Sequence, residues 1–229
     1  MNAAEVRPTG RYVLCWLQQA LRARDNPVID AAIRLGNDLG LPVLVYHGLR
    51  EDFPYASDRL HRFILGASRD LARDCRQRGL ACVQHVDRDD AREKGLVYRL
   101  AADSAAVFVE DQPTFVARWQ SDRVAARTEV AMFAVNAACL VPPALLGDGI
   151  GSTTAFRRRH EAVRADWLAT DDLQADIAAY DGPPALHVRS SRILQRRRPG
   201  PAGRERGDRS FACAQSGLPG RSRGRAKQA

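Results

Sequence analysis

Lysine is nearly missing from this chain of 229 residues: Lys94 and Lys227 stand against 33 arginines. Cysteine is sparse and patternless. Cys15, Cys75, Cys82, Cys139 and Cys213 are odd in number and form no CxxC pair. That disfavours a disulfide scaffold and a zinc ribbon, and suits a reducing, cytoplasmic setting. No apolar run approaches the ~18 residues of a membrane-spanning helix. The first apolar run, Tyr12 to Leu17, is too short for a signal-peptide core. The five histidines form no HExxH or paired metal spacing, and no Ser or Cys sits in a nucleophile elbow. No internal repeat of fixed period is visible.

What is present is the composition of a soluble globular protein, 45% hydrophobic and 27% charged. The net charge of +8 is unevenly placed. From Arg189 onward there are 12 basic and 2 acidic residues, whereas the preceding 188 carry 23 basic and 25 acidic. The high isoelectric point therefore belongs to the tail and says little about the body.

Five short apolar runs read as strands: Arg11–Leu17, Leu41–Tyr46, Leu80–Val86, Ala105–Val109 and Val130–Val135. Helices are expected between them. The first runs from Pro27 to Leu39 with Asn26 as cap and Gly40 as stop, the second from Ser57 or Asp58 to just before Gly79. The third covers 89–102, with Gly95 as a weak point, and the fourth 114–128. Strict alternation predicts an α/β fold: a Rossmann-like, doubly wound, five-stranded parallel sheet, for which the order 3-2-1-4-5 would put the crevice between the first and fourth strands. Residues 1–10 read as a loose, disordered N-terminus and 11–145 as the α/β domain. In 146–188, helices are expected over 156–167 and 171–180. Residues 189–229 form an Arg/Gly-rich tail, too poor in apolar residues to fold. Its composition is also that of G+C-rich coding DNA read out of frame; the alternative is a natural tail that binds nucleic acid.

In such a sheet, ligands bind beyond the carboxyl ends of the strands where strand order reverses. That rule places the loop after the first strand opposite the end of the fourth. Gln18, Arg22 and Glu110 are the candidate crevice residues, since amide and guanidinium groups suit a planar or anionic ligand. The glycine run Gly147–Gly151 followed by Ser152 lacks a phosphate-loop lysine and reads better as a turn with a Ser/Thr cap. Phe156-Arg157-Arg158-Arg159-His160 reads as a solvated basic helix face.

Several segments carry a family resemblance. Tyr12 to Ala20, with Arg22 and Asn26, resembles the opening strand and loop of class II DNA photolyases, roughly YVLYWMQxxxRxxxN. Leu39 to Val43 with Gly48-Leu49, then Phe53-Pro54, Ala56, Arg59, Phe63 and Leu65, then Asp70 to Gly79, resemble the segments that follow in that family. Cys15 departs from an aromatic residue, and Pro27 from a histidine. The resemblance covers about residues 10–145. It implies an N-terminal α/β domain able to hold an antenna chromophore such as a deazaflavin or folate. In the family, FAD and damaged DNA are bound by a helical domain, and light-driven electron donation from the flavin splits cyclobutane pyrimidine dimers. That flavin domain is expected to be missing here, leaving a photolyase-like chain inactive alone. A stand-alone nucleotide- or flavin-binding module, or a nucleic-acid binder acting through the tail, are the competing readings.

Overall fold

The structure is a computed structural model, and it describes residues 1–51, 53, 56–87, 95–113, 115–168 and 175–178. Five parallel strands lie in the order β3-β2-β1-β4-β5. They are β1 (Val13–Leu17), β2 (Val43–Arg50), β3 (Ala81–Asp87), β4 (Ala106–Glu110) and β5 (Met132–Val135). The expected doubly wound parallel sheet is thus observed, in the order that puts its crevice between β1 and β4.

β1 is the centre of the sheet, paired with β2 on one side and β4 on the other. All five of its side chains are buried, so it reads as an unbroken apolar run instead of an alternating one. Val13, Cys15 and Leu17 face a core shared with α1 (Pro27–Leu39) and α2 (Asp58–Gln77). Leu14 and Trp16 face the opposite core, shared with α3 (Leu96–Ala102) and α4 (Phe115–Ala125). Two short elements follow, α5 (Pro143–Leu146) and α6 (Thr153–Leu168). No residue of α6 is buried, as its basic, weakly patterned sequence implies.

Local chemistry sets the boundaries. Asn26 caps α1, accepting from the Val28 N–H at 3.2 Å, with Pro27 in the first helical position. Gly40, left-handed at φ 66°, closes that helix and bonds back to the carbonyls of Gly36 and Asn37. Ser57 caps α2 through the Leu60 N–H at 3.2 Å. α3 begins at Leu96, directly after Gly95, whose left-handed φ of 77° a helix interior does not admit. Residues 88–94, and with them the expected start at 89, lie outside the described set.

Two segments differ from expectation. Residues 1–10 are fastened to the sheet. The Asn2 side chain donates to the Thr128 and Val130 carbonyls and accepts from the Met132 N–H. Arg7 N–H donates to the Ala105 carbonyl at 2.8 Å, and Val6 packs on the core. Backbone groups just ahead of β4, and just ahead of and on the edge strand β5, had no ladder partner, and this segment satisfies them. Residues 175–178, within the expected second helix, are not helical; they lie against α1. The tail at 189–229 lies outside the described residues.

Candidate functional site

Glu110 is the last residue of β4 and is 2% exposed. Its carboxylate accepts backbone N–H groups from three successive residues of the loop leaving β1: Gln18 at 2.8 Å, Gln19 at 3.0 Å, and Ala20. The carboxylate thus binds the two strand ends together across the point where strand order reverses. Gln18 is equally committed. Its amide nitrogen donates to Gln120 Oε1 at 3.1 Å and its oxygen accepts from Ser121 Oγ at 3.2 Å, both on α4. Asn26, fully buried, adds bonds to the Ala20 and Arg22 carbonyls at 3.0 and 2.9 Å. Arg22 is exposed and folds back onto the Asp25 carbonyl at 2.9 Å.

The three sequence-predicted residues therefore do not line a shared cleft. Gln18 and Glu110 meet, as the fold rule requires, but they spend their polar atoms closing the crevice; Arg22 stands apart from both. A carboxylate facing three loop N–H groups is better satisfied by them than by any planar ligand.

The open space lies beside this buckle, on the α3/α4 side of the sheet. A cavity of about 270 Å³ spans the carboxyl ends of β1, β2 and β3. Trp16 and Tyr46 form its floor, Tyr98 and Trp119 stand at its sides, and Arg50 and Arg123 bring positive charge. The Arg123 guanidinium sits 4.4 Å above the centre of the half-exposed Trp119 ring. Gly48 is required here for space: a Cβ would lie 2.5 Å from the Tyr46 hydroxyl. Burial, and then the charge of Asp87, hold the Tyr46 phenol far above its ordinary pKa, so it stays a neutral hydroxyl.

Among the described residues, two polar atoms at this cavity have no hydrogen-bond partner: His85 Nε2 and Asp87 Oδ1. Both are buried at the atomic level, and both sit at the end of β3 on the face of Val83. Buried polar atoms are nearly always paired, and an unpaired set at a cavity wall marks a place for a ligand. An imidazole nitrogen beside a carboxylate oxygen, between aromatic walls, suits a planar heterocycle with both donor and acceptor edges. The signal was present in the sequence as Val83-x-His85-x-Asp87, two polar residues on one face at a strand's carboxyl end. Reading the histidines only for metal spacing missed it.

Other signals resolve into structure. Ser152 caps α6 through the Ala155 N–H at 3.2 Å, and Arg159 donates to the carbonyls of Leu146 and Asp148, so the glycine run is a tied turn. Among the described residues no cluster could hold a metal, and no helix is long and apolar enough to cross a membrane. Burial pushes the Cys15 thiol well up, and the hydrogen bond with Cys82, followed by burial, does the same for Cys75; neither is an available nucleophile.

A family model described as DNA photolyase matches residues 13–179. A deoxyribodipyrimidine photo-lyase of Methanothermobacter thermautotrophicus is 37% identical over 112 residues, which are 49% of this chain. The match spans 24% of that relative's length, about a quarter. Two solved structures are similar in fold. One is an archaeal photolyase from Sulfolobus tokodaii, described with two FAD molecules and an implied novel light-harvesting cofactor. It has a TM-score of 0.56 and 15% identity, over 74% of this chain and 38% of that one. The other is a bacterial class III photolyase from Agrobacterium tumefaciens, with a TM-score of 0.54 and 15% identity, over 84% and 39%. At that identity the two show the fold alone.

Proposed function

The chain belongs to the DNA photolyase family, and from that premise we propose that its α/β domain is the light-collecting part of such an enzyme. Its seat for a planar antenna chromophore, of the deazaflavin or folate kind, is the cavity over β1, β2 and β3. The observation that carries this reading is the pair of unpartnered atoms, His85 Nε2 and Asp87 Oδ1, in an aromatic-walled cavity. Such a group, when bound, absorbs light and passes the excitation onward.

The chain's own contribution is binding and orientation. Trp16, Tyr46, Tyr98 and Trp119 offer flat apolar surface, Asp87 an acceptor for a ring N–H, and His85 a hydrogen bond to a ring oxygen or nitrogen. Arg50 and Arg123 place positive charge where a phosphate or carboxylate side arm would leave the cavity. The volume suits a ring system better than a complete dinucleotide, since drug-sized ligands fill roughly 300–1,000 Å³.

We assign the chain to class II of the family on the motif running from Tyr12 to Ala20 with Arg22 and Asn26. The family reaction, FAD-dependent and light-driven splitting of pyrimidine dimers in damaged DNA, is proposed for the natural enzyme. The FAD and DNA sites are assigned outside this α/β domain, so the α/β domain by itself is expected not to repair dimers. The deciding experiment titrates the purified chain with a 5-deazaflavin, a methenyl folate, FMN and ATP, following absorption and fluorescence. A chromophore bound by the native chain and lost in a His85→Ala/Asp87→Ala double variant of unchanged melting temperature supports the reading. ATP binding with no affinity for any chromophore would overturn it in favour of a nucleotide-binding module.

A further inference from the structure

Ala175 to Ala178 are held against α1 by side chains that address only their backbone. The Asn37 carboxamide donates to the Asp176 carbonyl at 2.8 Å and accepts from the Ala178 N–H at 3.0 Å. That is the pattern a residue of a parallel strand makes with its neighbour: one bond to the carbonyl before the facing residue, one from the N–H after it. Asn37 thus acts as a single strand residue set opposite Ile177. Asp30 Oδ1 accepts from the Ala175 N–H at 3.3 Å, and Arg78 donates to the Ala175 carbonyl at 2.7 Å. Asp30 and Arg78 are themselves paired at 3.1 Å, with side chains 5% and 8% exposed. Arg78 also donates to the Ala23 carbonyl. Ile177 and Ala175 pack on the core beneath α1 and α2, and the Ile177 Cδ1 lies 3.8 Å from where a Gly79 Cβ would be.

We propose that Asp30, Asn37 and Arg78 form a docking groove for an extended peptide with an aliphatic residue at its third position, and that residues 175–178 of the same chain occupy it. Four bonds to backbone fix the path of the peptide, and Ile177, with the small Ala175 beside it, supplies the side-chain selection. The buried pair gains its remaining partners from the peptide, which is what a buried ion pair needs to repay its desolvation. Six residues separate Leu168 from Ala175. So short a tether gives an effective concentration of about millimolar, so even a weak intrinsic affinity keeps the groove filled in cis. The groove lies on the α1/α2 side of the sheet and the cavity on the α3/α4 side, so this inference stands apart from the chromophore reading.

The test uses the full chain and hydrogen exchange read residue by residue. The Ala175 and Ala178 amides should exchange at least ~10-fold more slowly than in an unstructured peptide. Asn37→Ala should release Ala178 while β1 and β4 stay protected. Ile177→Asp leaves the groove side intact and should release both amides. A synthetic peptide of residues 172–181 should then perturb Asn37 and Arg78 signals in the Ile177→Asp chain and leave the native chain unchanged. Free exchange of Ala175 and Ala178 in the native chain would overturn the proposal, as would failure of the peptide to bind the emptied groove. A native dimer that dissociates on Ile177→Asp would overturn the assignment in cis.

Discussion

Replacing Glu110 by Gln separates a structural buckle from a ligand contact. The substitution keeps the size of the side chain and removes one acceptor oxygen together with the charge. Three loop N–H groups, from Gln18, Gln19 and Ala20, converge on the two carboxylate oxygens. A carboxamide offers one oxygen, and its NH₂ turns against at least one of these donors. Hydrogen bonds to a charged group contribute about 1.5–3 kcal/mol each, and a buried donor left unpaired costs about 1–3 kcal/mol. Relief of burying a charge returns part of this. The net expectation is a loss of about 2–4 kcal/mol, or roughly 6–12 °C in melting temperature for a domain of this size. Denaturant unfolding of both forms, followed by circular dichroism, measures it. If E110Q unfolds within about 0.5 kcal/mol of the native chain while its chromophore affinity falls, the carboxylate faces a ligand and the buckle argument fails.

Asn26→Asp places a carboxylate oxygen where an NH₂ now serves the Ala20 and Arg22 carbonyls, while the cap to Val28 survives. It should destabilise by about 2–3 kcal/mol at neutral pH, and a loss below 0.5 kcal/mol would show that the cap alone matters. His47, 3% exposed, is bonded to Ser68 Oγ at 2.9 Å, and that oxygen also receives the Gln84 amide. Burial lowers its pKa from 6.5 to about 4. The unfolded chain therefore takes up this proton first, so stability is level above pH 6.5 and falls between pH 6.5 and pH 4. The drop from pH 7 to pH 4.5 is about 2–3 kcal/mol from this group. His47→Gln should flatten that part of the pH profile measured by denaturation; an unchanged slope would exclude His47 as its source. Gly48→Ala pushes on the Tyr46 hydroxyl and should weaken chromophore binding several-fold with core β-sheet exchange unchanged; equal affinity would remove Tyr46 from the cavity floor.

The sheet was legible because its signals are local and redundant. The run from Val13 to Leu17 is apolar on every residue because β1 is covered on both faces, and the Asn26-Pro27 start and Gly40 stop bracket α1 by backbone chemistry alone. Parallel pairing followed from alternation and crossover handedness, which need no side-chain detail; the strand order did not, because other doubly wound orders satisfy both. Residues 1–10 were not legible, because what orders them is a set of open backbone groups ahead of β4 and at the edge strand β5, invisible until the sheet is assembled. Residues 175–178 failed for the same reason. Their partners Asp30, Asn37 and Arg78 are more than ninety positions away in the chain, and a helical pattern in the segment itself carries no information about them.

The site shows where a fold rule stops. Strand-order reversal located the crevice, and Gln18 and Glu110 do meet there. The rule does not say whether a polar residue at a strand end turns its valence toward a ligand or toward the chain. Backbone donors decide that. The loop after β1 presents three N–H groups in succession, and any acceptor within reach is taken by them before a ligand arrives. At the end of β3, His85 and Asp87 each keep an atom unpaired among the described residues. The useful reading of a strand end is therefore an inventory of donors and acceptors around each polar residue, because binding capacity belongs to the atoms left over.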